Sequence, residues 1–147
     1  MYIRDISYAL SIMGHKIDVI SGPPYPNLAK QVKLLKLPGL NLFQTFSFKE
    51  RLKIFFSKKN KKLIDYYEFL STLLGSFPEM RTFGSRAKNY LKNKDYDIII
   101  DNQSLSYGVL ELQKENPLIE IIHHPITKDY EHELETNNKF LYLSLIH

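Results

Sequence analysis

Two short apolar runs in the second half of the chain constrain the fold most strongly. Tyr96–Ile100 and Leu118–Ile122 are rich in isoleucine, and the pattern between them, at 105–114, is helical. Strands of nearly continuous branched apolar residues that alternate with helices are typical of a parallel sheet covered on both faces. The sequence therefore predicts an α/β fold built on a doubly wound parallel sheet.

The other elements follow from hydrophobic periodicity and from residues that end helices or strands. Apolar residues recur at helical spacing before Gly14, and β-branched residues precede the proline-rich GPPYP loop at 22–26. The predicted elements are a helix over 1–13, strands over 16–21 and 31–37, helices within 46–91 broken near 57–60 and 75–78, and a last helix from about Lys128. The tail, 137–147, is too short to assign.

Length and composition are those of one ordinary globular domain. The chain has 147 residues, of which 44% are hydrophobic and 24% are charged. No apolar run approaches the ~20 residues of a membrane-spanning helix, and the first residues lack a signal-peptide pattern, so a cytoplasmic location is expected. The sequence contains no cysteine, which excludes disulfides and thiolate metal sites.

The order of the elements predicts that this domain is incomplete. The chain opens with a helix, whereas a doubly wound domain normally begins with a strand near the centre of its sheet. A sheet without that strand exposes unpaired backbone groups. We therefore expect residues 1–147 to form a single domain that lacks its first strand.

Polar side chains follow the predicted strands where each strand ends. Asp101, Asn102 and Gln103 come after the first run, and His123 and His124 come after the second. Ligands of doubly wound sheets bind beyond the carboxyl ends of the strands. The sequence therefore predicts a ligand site at this rim, to which the GPPYP loop is also expected to contribute.

Two stretches resemble a known family. RDISYALSIMGHKIDVISGPPYP resembles the stretch after the first glycine-rich loop in the amino-terminal half of family 4 glycosyltransferases, where a helix leads into the second strand. PEMRTFGSRAKNYLKNKDYDIIIDNQSLSYGVLELQKENPLIEIIHHPIT looks like a later segment of the same domain. Gly14-His15 alone is a weak signal, but DNQSLSYG followed by a strand and HHPIT is much more specific. The resemblance covers roughly Ile3 to Glu135.

The resemblance implies an enzyme of the GT-B architecture, in which two Rossmann-like domains face each other across a cleft. The amino-terminal domain would receive a sugar or lipid-linked acceptor, and the carboxyl-terminal domain would bind a nucleotide-sugar donor for retaining hexosyl transfer. This chain matches the acceptor side only, without the glycine-rich loop or the donor-binding domain. No cofactor site is therefore expected in it, and alone it should be inactive.

The resemblance also suggests roles for residues at the rim. The family's histidine after this strand matches His123 and points into the cleft beside the transferred sugar, which makes it the catalytic candidate. An imidazole can donate a hydrogen bond to a sugar hydroxyl or near the leaving group; the alternative is a histidine that only caps a strand end. The acceptor-binding candidates are Asp101, Asn102, Gln103, His124, Gly22 and Tyr25.

Simpler roles compete at several of these positions. Asp101, Asn102 and Ser104 could instead cap the following helix, and His124 could be a structural partner of the backbone. Adjacent histidines in extended backbone point to opposite faces, so no metal site is expected. Gly108 is expected to let its helix pack closely on the sheet.

Basic residues are concentrated in a window with interleaved aromatic residues, 46–62. They are Lys49, Arg51, Lys53, Lys58, Lys59, Lys61 and Lys62. Such a helix could lie on an anionic membrane surface, at the inner face of the membrane. The alternative is a helix whose aromatic stripe packs on the sheet while its lysines are solvated. No nucleic-acid partner is expected, because the window contains no recognisable reading motif.

A second hypothesis of a different class remains open. The chain could be a binding or interaction module that has a nucleotide-binding-like fold and no catalytic activity. That hypothesis predicts a cooperatively folding monomer or dimer, whereas an incomplete domain predicts poor solubility because apolar faces and sheet edges stay open.

Overall fold

The computed structural model describes residues 2–42, 45, 47–74, 78–104 and 106–123. His124, the helix expected from about Lys128 and the tail at 137–147 lie outside the described residues. The chain divides into two compact units, the first up to Gly39 and the second from Leu40.

The first unit is a helix followed by two parallel strands. Helix α1 (Tyr2–Ile12) ends before Gly14, whose φ of 93° is easily adopted by glycine. Strands β1 (Asp18–Ser21) and β2 (Lys33–Lys36) pair in parallel from Asp18 opposite Lys33 to Ser21 opposite Lys36. The helix and both strands confirm the elements predicted from the sequence.

The second unit begins with three helices, as the pattern of 46–91 predicts. They are α2 (Phe48–Ser57), α3 (Leu63–Leu73) and α4 (Glu79–Leu91). Ser47 caps α2 by accepting a hydrogen bond from the Glu50 N–H at 3.2 Å. Pro78 occupies the N-cap position of α4, where a missing N–H has no consequence.

The second unit ends with a parallel strand–helix–strand segment. Strand β3 (Ile99–Asn102) pairs with β4 (Leu118–Ile121), from Ile99 opposite Leu118 to Asn102 opposite Ile121. Between them lie the short helix α5 (Tyr107–Leu110) and a 3₁₀ turn, Glu111–Lys114. Strand β3 runs later than the predicted strand at 96–100, because the buried Asp101 and the half-buried Asn102 extend the ladder. The predicted helix at 105–114 is shorter and changes to 3₁₀ geometry.

The fold class is mixed α/β with short parallel strands, as predicted. The described strands form two parallel pairs, β1–β2 and β3–β4. A parallel pair needs a crossover connection, which α5 and the 3₁₀ turn supply between β3 and β4. This arrangement is compatible with part of a Rossmann-like domain. Within the described ranges, no helix has the length and apolar character needed to cross a bilayer.

A cluster of leucine and phenylalanine side chains forms an apolar core around α2 and α3 in the second unit. Leu40, Leu42, Phe55 and Phe69 are buried together, and the Phe55 and Phe69 rings stack at 4.4 Å between centroids. Burying a side chain of this size contributes about 1.5–3 kcal/mol. Phe55 of the basic window is therefore a core residue, but it packs against α3 and not on the sheet that the packing alternative names, and Phe48 and Phe56 are exposed.

Charged side chains connect α3 to its surroundings. Glu68 is almost fully buried and accepts hydrogen bonds from the Leu40 N–H at 3.0 Å, from the Thr82 hydroxyl at 2.5 Å and from Arg86. Asp65, also fully buried, pairs with Arg86 at 3.1 Å. One arginine of α4 thus bridges two buried carboxylates of α3.

Two glycines allow α4 and α5 to cross closely. A Cβ at Gly108 would lie 2.6 Å from the Gly84 carbonyl carbon, and a Cβ at Gly84 would lie 1.6 Å from Ser106 Oγ. The sequence predicted that Gly108 packs on the sheet; its closest neighbours are instead backbone atoms of α4. Because α5 follows the turn after β3, this crossing fixes where the chain goes beyond the rim.

Candidate functional site

The carboxyl ends of β3 and β4 bring Asn102, Gln103 and His123 together. The register places Asn102 opposite Ile121, so His123 lies two residues beyond the last pair of the ladder. The Asn102 Oδ1 atom lies 2.7 Å from His123 Nε2, and Gln103 Oε1 accepts a hydrogen bond from the His123 N–H at 2.9 Å. These three residues form one hydrogen-bonded group at the predicted rim.

Asp101 points inward and shapes the turn after β3. Its side chain is buried, and its two oxygens accept hydrogen bonds from the Ser104 N–H at 3.1 Å and from the Ser104 hydroxyl at 2.8 Å. Ser106, not Asp101, occupies the N-cap position of α5. The observed contacts of Asp101 are therefore those of a turn-forming residue.

Gln103 occupies a left-handed backbone conformation, with φ of 54°. This region costs a residue with a side chain roughly 1–2 kcal/mol. Gln103 follows the last residue of β3, and the conformation coincides with the side-chain bond to the His123 backbone. The bond helps to offset the strain of the turn.

The rim of the second unit is open to a ligand. His123 is exposed, Asn102 and Gln103 are half-buried, and the neighbouring Ile122 is 61% exposed. Amide and imidazole groups in this setting can exchange hydrogen bonds with hydroxyl groups of a sugar. In the part of the chain that the structure describes, no group of three histidine, aspartate or glutamate residues could hold a metal ion.

Three acceptor-binding candidates lie elsewhere or outside the described residues: Gly22, Tyr25 and His124. Gly22 and Tyr25 lie in the first unit, after β1; the Tyr25 hydroxyl donates to the Leu37 carbonyl at 3.0 Å, and Lys36 Nζ lies 5.1 Å from its ring centroid. The shared position of this loop with Asp101–Gln103 stays a prediction. His124 lies outside the described residues.

Comparison with known proteins relates this chain to part of a named mannosyltransferase. No protein-family model matches the chain. The chain is 38% identical over 138 residues to a protein of Mycolicibacterium hassiacum named MMP alpha-(1->4)-mannosyltransferase. The likeness covers 91% of this chain and 33% of the relative, so the chain spans about a third of the relative's length.

The sequence predicted that Asn102, Gln103 and His123 lie at one rim, but it did not predict the hydrogen bonds between them. The pairing of Asn102 with His123 depends on the register of β3 and β4, which the sequence alone leaves open by several residues. The role of Ser104 as the partner of both Asp101 oxygens was also missed. The spacing D-x-x-S, typical of side chains that close local turns, could have indicated it.

Proposed function

We propose that this chain is the acceptor-side part of a retaining family 4 glycosyltransferase with the GT-B fold, in which a doubly wound Rossmann-like domain faces a donor-binding domain. The observation that carries the proposal is the 38% identity to a named mannosyltransferase over almost the whole chain. The rim geometry supports it, since a histidine is held at the carboxyl ends of parallel strands, where such folds bind ligands. The reaction would take place in the cytoplasm.

The reaction would transfer a hexosyl group, with mannose the first sugar to test because of the relative's name. The acceptor hydroxyl oxygen forms a bond to the anomeric carbon, and the bond from that carbon to the donor phosphate breaks. A nucleoside diphosphate leaves with the oxygen of the broken bond, and the hydroxyl proton is released. His123 would position the transferred sugar by hydrogen bonding to one of its hydroxyl groups.

The other rim residues would bind the acceptor in this proposal. Asn102 and Gln103 have amide groups that can both donate and accept hydrogen bonds. Asp101 would act through the turn that it forms with Ser104. Acceptor-binding roles for His124, Gly22 and Tyr25 stay predictions from the sequence. The nucleotide sugar would be held by a separate carboxyl-terminal domain.

A chimeric protein tests the catalytic role of His123. This chain would replace the matching third of the Mycolicibacterium hassiacum relative, and mannosyl transfer would be measured with and without His123→Ala. We expect turnover to fall about 10²-fold, the typical effect of losing one positioned catalytic hydrogen bond. His15→Ala is the matched control, because His15 is exposed and lies in the first unit. Equal turnover of His123→Ala and wild type would remove His123 from the site.

We also propose a peripheral contact between this chain and anionic membranes through 46–62 and the outer face of α3. Helix α3 turns Asp65 and Glu68 inward and leaves an apolar stripe at helical spacing exposed. The stripe contains Leu63, Tyr66, Tyr67, Leu70 and Leu74, and Phe56 of α2 is also exposed. A basic segment beside exposed aromatic and leucine side chains favours an anionic lipid surface.

Vesicle sedimentation tests this membrane contact. We expect the chain to sediment with phosphatidylserine-containing vesicles at low salt and to be released at high salt, because the attraction between lysines and lipid is screened. Leu63→Ser should weaken the binding, whereas Met80→Ser, an exposed residue on α4, should not. No sedimentation at low salt would exclude a membrane surface and favour a protein partner for the stripe.

A further inference from the structure

We propose that Asn102 and Gln103 are positioning residues that hold the backbone and the ring of His123 in one orientation. The inference rests on the proposed function, because it assigns these residues to the same rim. It extends that function, since the amide oxygens of both residues are hydrogen-bonded to His123 in the structure.

The β3–β4 ladder ends two residues before His123. The last pair is Asn102 opposite Ile121, and after Asn102 the chain turns away because Asp101 binds both the N–H and the hydroxyl of Ser104. The backbone of β3 therefore does not continue alongside His123. The side-chain amide of Gln103 supplies an acceptor for the His123 N–H instead, at 2.9 Å.

Gln103 has a left-handed backbone conformation that its contacts hold in place. Its φ of 54° is uncommon for a residue other than glycine, asparagine or aspartate. Residues held in such conformations are found where the surrounding contacts fix them, often at functional sites. Here the turn closed by Asp101 sets the position of Gln103, and Gln103 in turn holds His123.

The ring of His123 is held by Asn102. An amide oxygen can only accept a hydrogen bond, so the contact between Asn102 Oδ1 and Nε2 at 2.7 Å requires the proton to be on Nε2. The neutral ring is then fixed as the tautomer in which Nδ1 is the proton acceptor. Asn102 thus selects both the orientation and the chemical form in which His123 meets a ligand.

Nuclear magnetic resonance of the 147-residue chain tests the role of Asn102. Long-range proton–nitrogen spectra report the imidazole tautomer, and we expect His123 to be mainly the Nε2–H form. In Asn102→Ala the ratio of Nε2–H to Nδ1–H forms should fall about fivefold, the ratio that one ordinary hydrogen bond supports. Asn102→Asp, which keeps an acceptor oxygen, should retain the Nε2–H form. Asn89→Ala, on the exposed side of α4, is the matched control.

Hydrogen exchange of the His123 amide tests the role of Gln103. Gln103→Asn is the informative variant, because asparagine readily adopts positive φ but its amide is one methylene shorter. We expect the His123 N–H to exchange roughly fivefold faster in this variant, since a bond of ordinary strength is lost. Gln113→Asn, in the exposed part of the 3₁₀ turn, should leave the exchange rate unchanged.

These measurements separate the inference from the proposed function. An unchanged tautomer ratio in Asn102→Ala, or unchanged exchange in Gln103→Asn, would overturn the positioning role whatever the activity. In the chimera, Asn102→Ala should lower kcat about tenfold, beyond any change in the KM for the acceptor, and Asn102→Asp should restore kcat. A higher KM at unchanged kcat would leave Asn102 with acceptor binding alone and would overturn its positioning role. Full activity of His123→Ala would overturn the proposed site but not the measured hydrogen bonds.

Discussion

Two carboxyl groups of the second unit respond in opposite ways to their surroundings. Burial acts to raise the pKa of Asp65, but the hydrogen bonds from Lys58 and from the Lys62 N–H outweigh it, so the pKa is lowered. Burial raises the pKa of Glu79, and the nearby Glu68 raises it further. Among the described residues, Glu79 Oε2 has no hydrogen-bond partner. Ionised Asp65 therefore stabilises the fold, whereas ionised Glu79 destabilises it.

Glu79→Gln should increase the thermal stability of the chain at pH 7. The pKa of Glu79 is higher in the folded state than its ordinary value of 4.5, so its contribution to stability is present below that value. It is lost as the pH rises through the folded pKa. The gain in Tm from Glu79→Gln should therefore be seen at pH 7 and should disappear near pH 4. Melting curves at both values, with the exposed Glu50→Gln as control, measure it; a lower Tm at pH 7 would contradict the assignment.

The contribution of Asp65 to stability should depend on pH in the opposite way. Because its folded pKa is lowered, its contribution is present above its ordinary value of 3.8 and is lost as the pH falls through the folded pKa. Asp65→Asn should thus destabilise the chain at pH 7, by about 1–3 kcal/mol for a buried, hydrogen-bonded group. The difference from wild type should shrink in acid. Urea unfolding at pH 7 and at pH 3 checks this, and a difference that is equal at both values would argue against it.

At the scale of secondary-structure elements, Arg86 connects α4 to α3. Its guanidinium group is largely buried and contacts both Asp65 and Glu68. Arg86→Ala should destabilise the chain by about 3–5 kcal/mol, because it leaves two buried carboxylates without their shared partner. Arg81→Ala, on the exposed side of the same helix, should change stability by less than about 0.5 kcal/mol. Equal effects of the two substitutions on urea unfolding would mean that the buried pairs do not hold the helices together.

The crossing of α4 and α5 predicts a second effect at this scale. Gly84→Ala or Gly108→Ala should destabilise the chain by about 1–3 kcal/mol, because neither position has room for a methyl group. The neighbouring Ser85 is exposed on α4, so Ser85→Ala is the control. Wild-type stability of Gly108→Ala in thermal melts would show that the helices can separate without loss.

The elements were predictable from the sequence where local patterns decide them. The stop at Gly14, the strand before GPPYP and the break between α2 and α3 depend on residue types and spacing, and all were confirmed. Periodicity also reveals an apolar stripe on α3, but not the side that it faces. That side is set by Asp65 and Glu68, whose partner Arg86 is about twenty residues away. Such long-range pairing leaves no local signal.

At the scale of the whole molecule, the sequence also predicts the candidate site only in part. The rule that ligands bind at the carboxyl ends of parallel strands predicted that Asn102, Gln103 and His123 lie at one rim, and the structure brings them together there. Their hydrogen bonds could not be predicted, since they depend on the β3–β4 register and on the turn closed by Asp101. The chain spans about a third of its mannosyltransferase relative. Binding of the nucleotide-sugar donor is therefore proposed for a separate domain.

The chain alone should not transfer sugar. Transfer requires donor phosphates held opposite the acceptor, and this chain is proposed to supply only the acceptor side. Incubation of the purified chain with a nucleotide-activated mannose and an α-(1→4)-linked mannose oligosaccharide should give no elongated product. Detectable elongation would show that the donor site lies within these 147 residues.

The most direct test of the acceptor-side assignment is a titration of the isotope-labelled chain followed by nuclear magnetic resonance. With an α-(1→4)-linked mannose oligosaccharide, we predict amide shifts at Asn102, Gln103 and His123 that are weakened in His123→Ala. A nucleotide-activated mannose should leave these signals unchanged. Shifts caused by the nucleotide sugar, with none caused by the oligosaccharide, would contradict the assignment of this chain to the acceptor side.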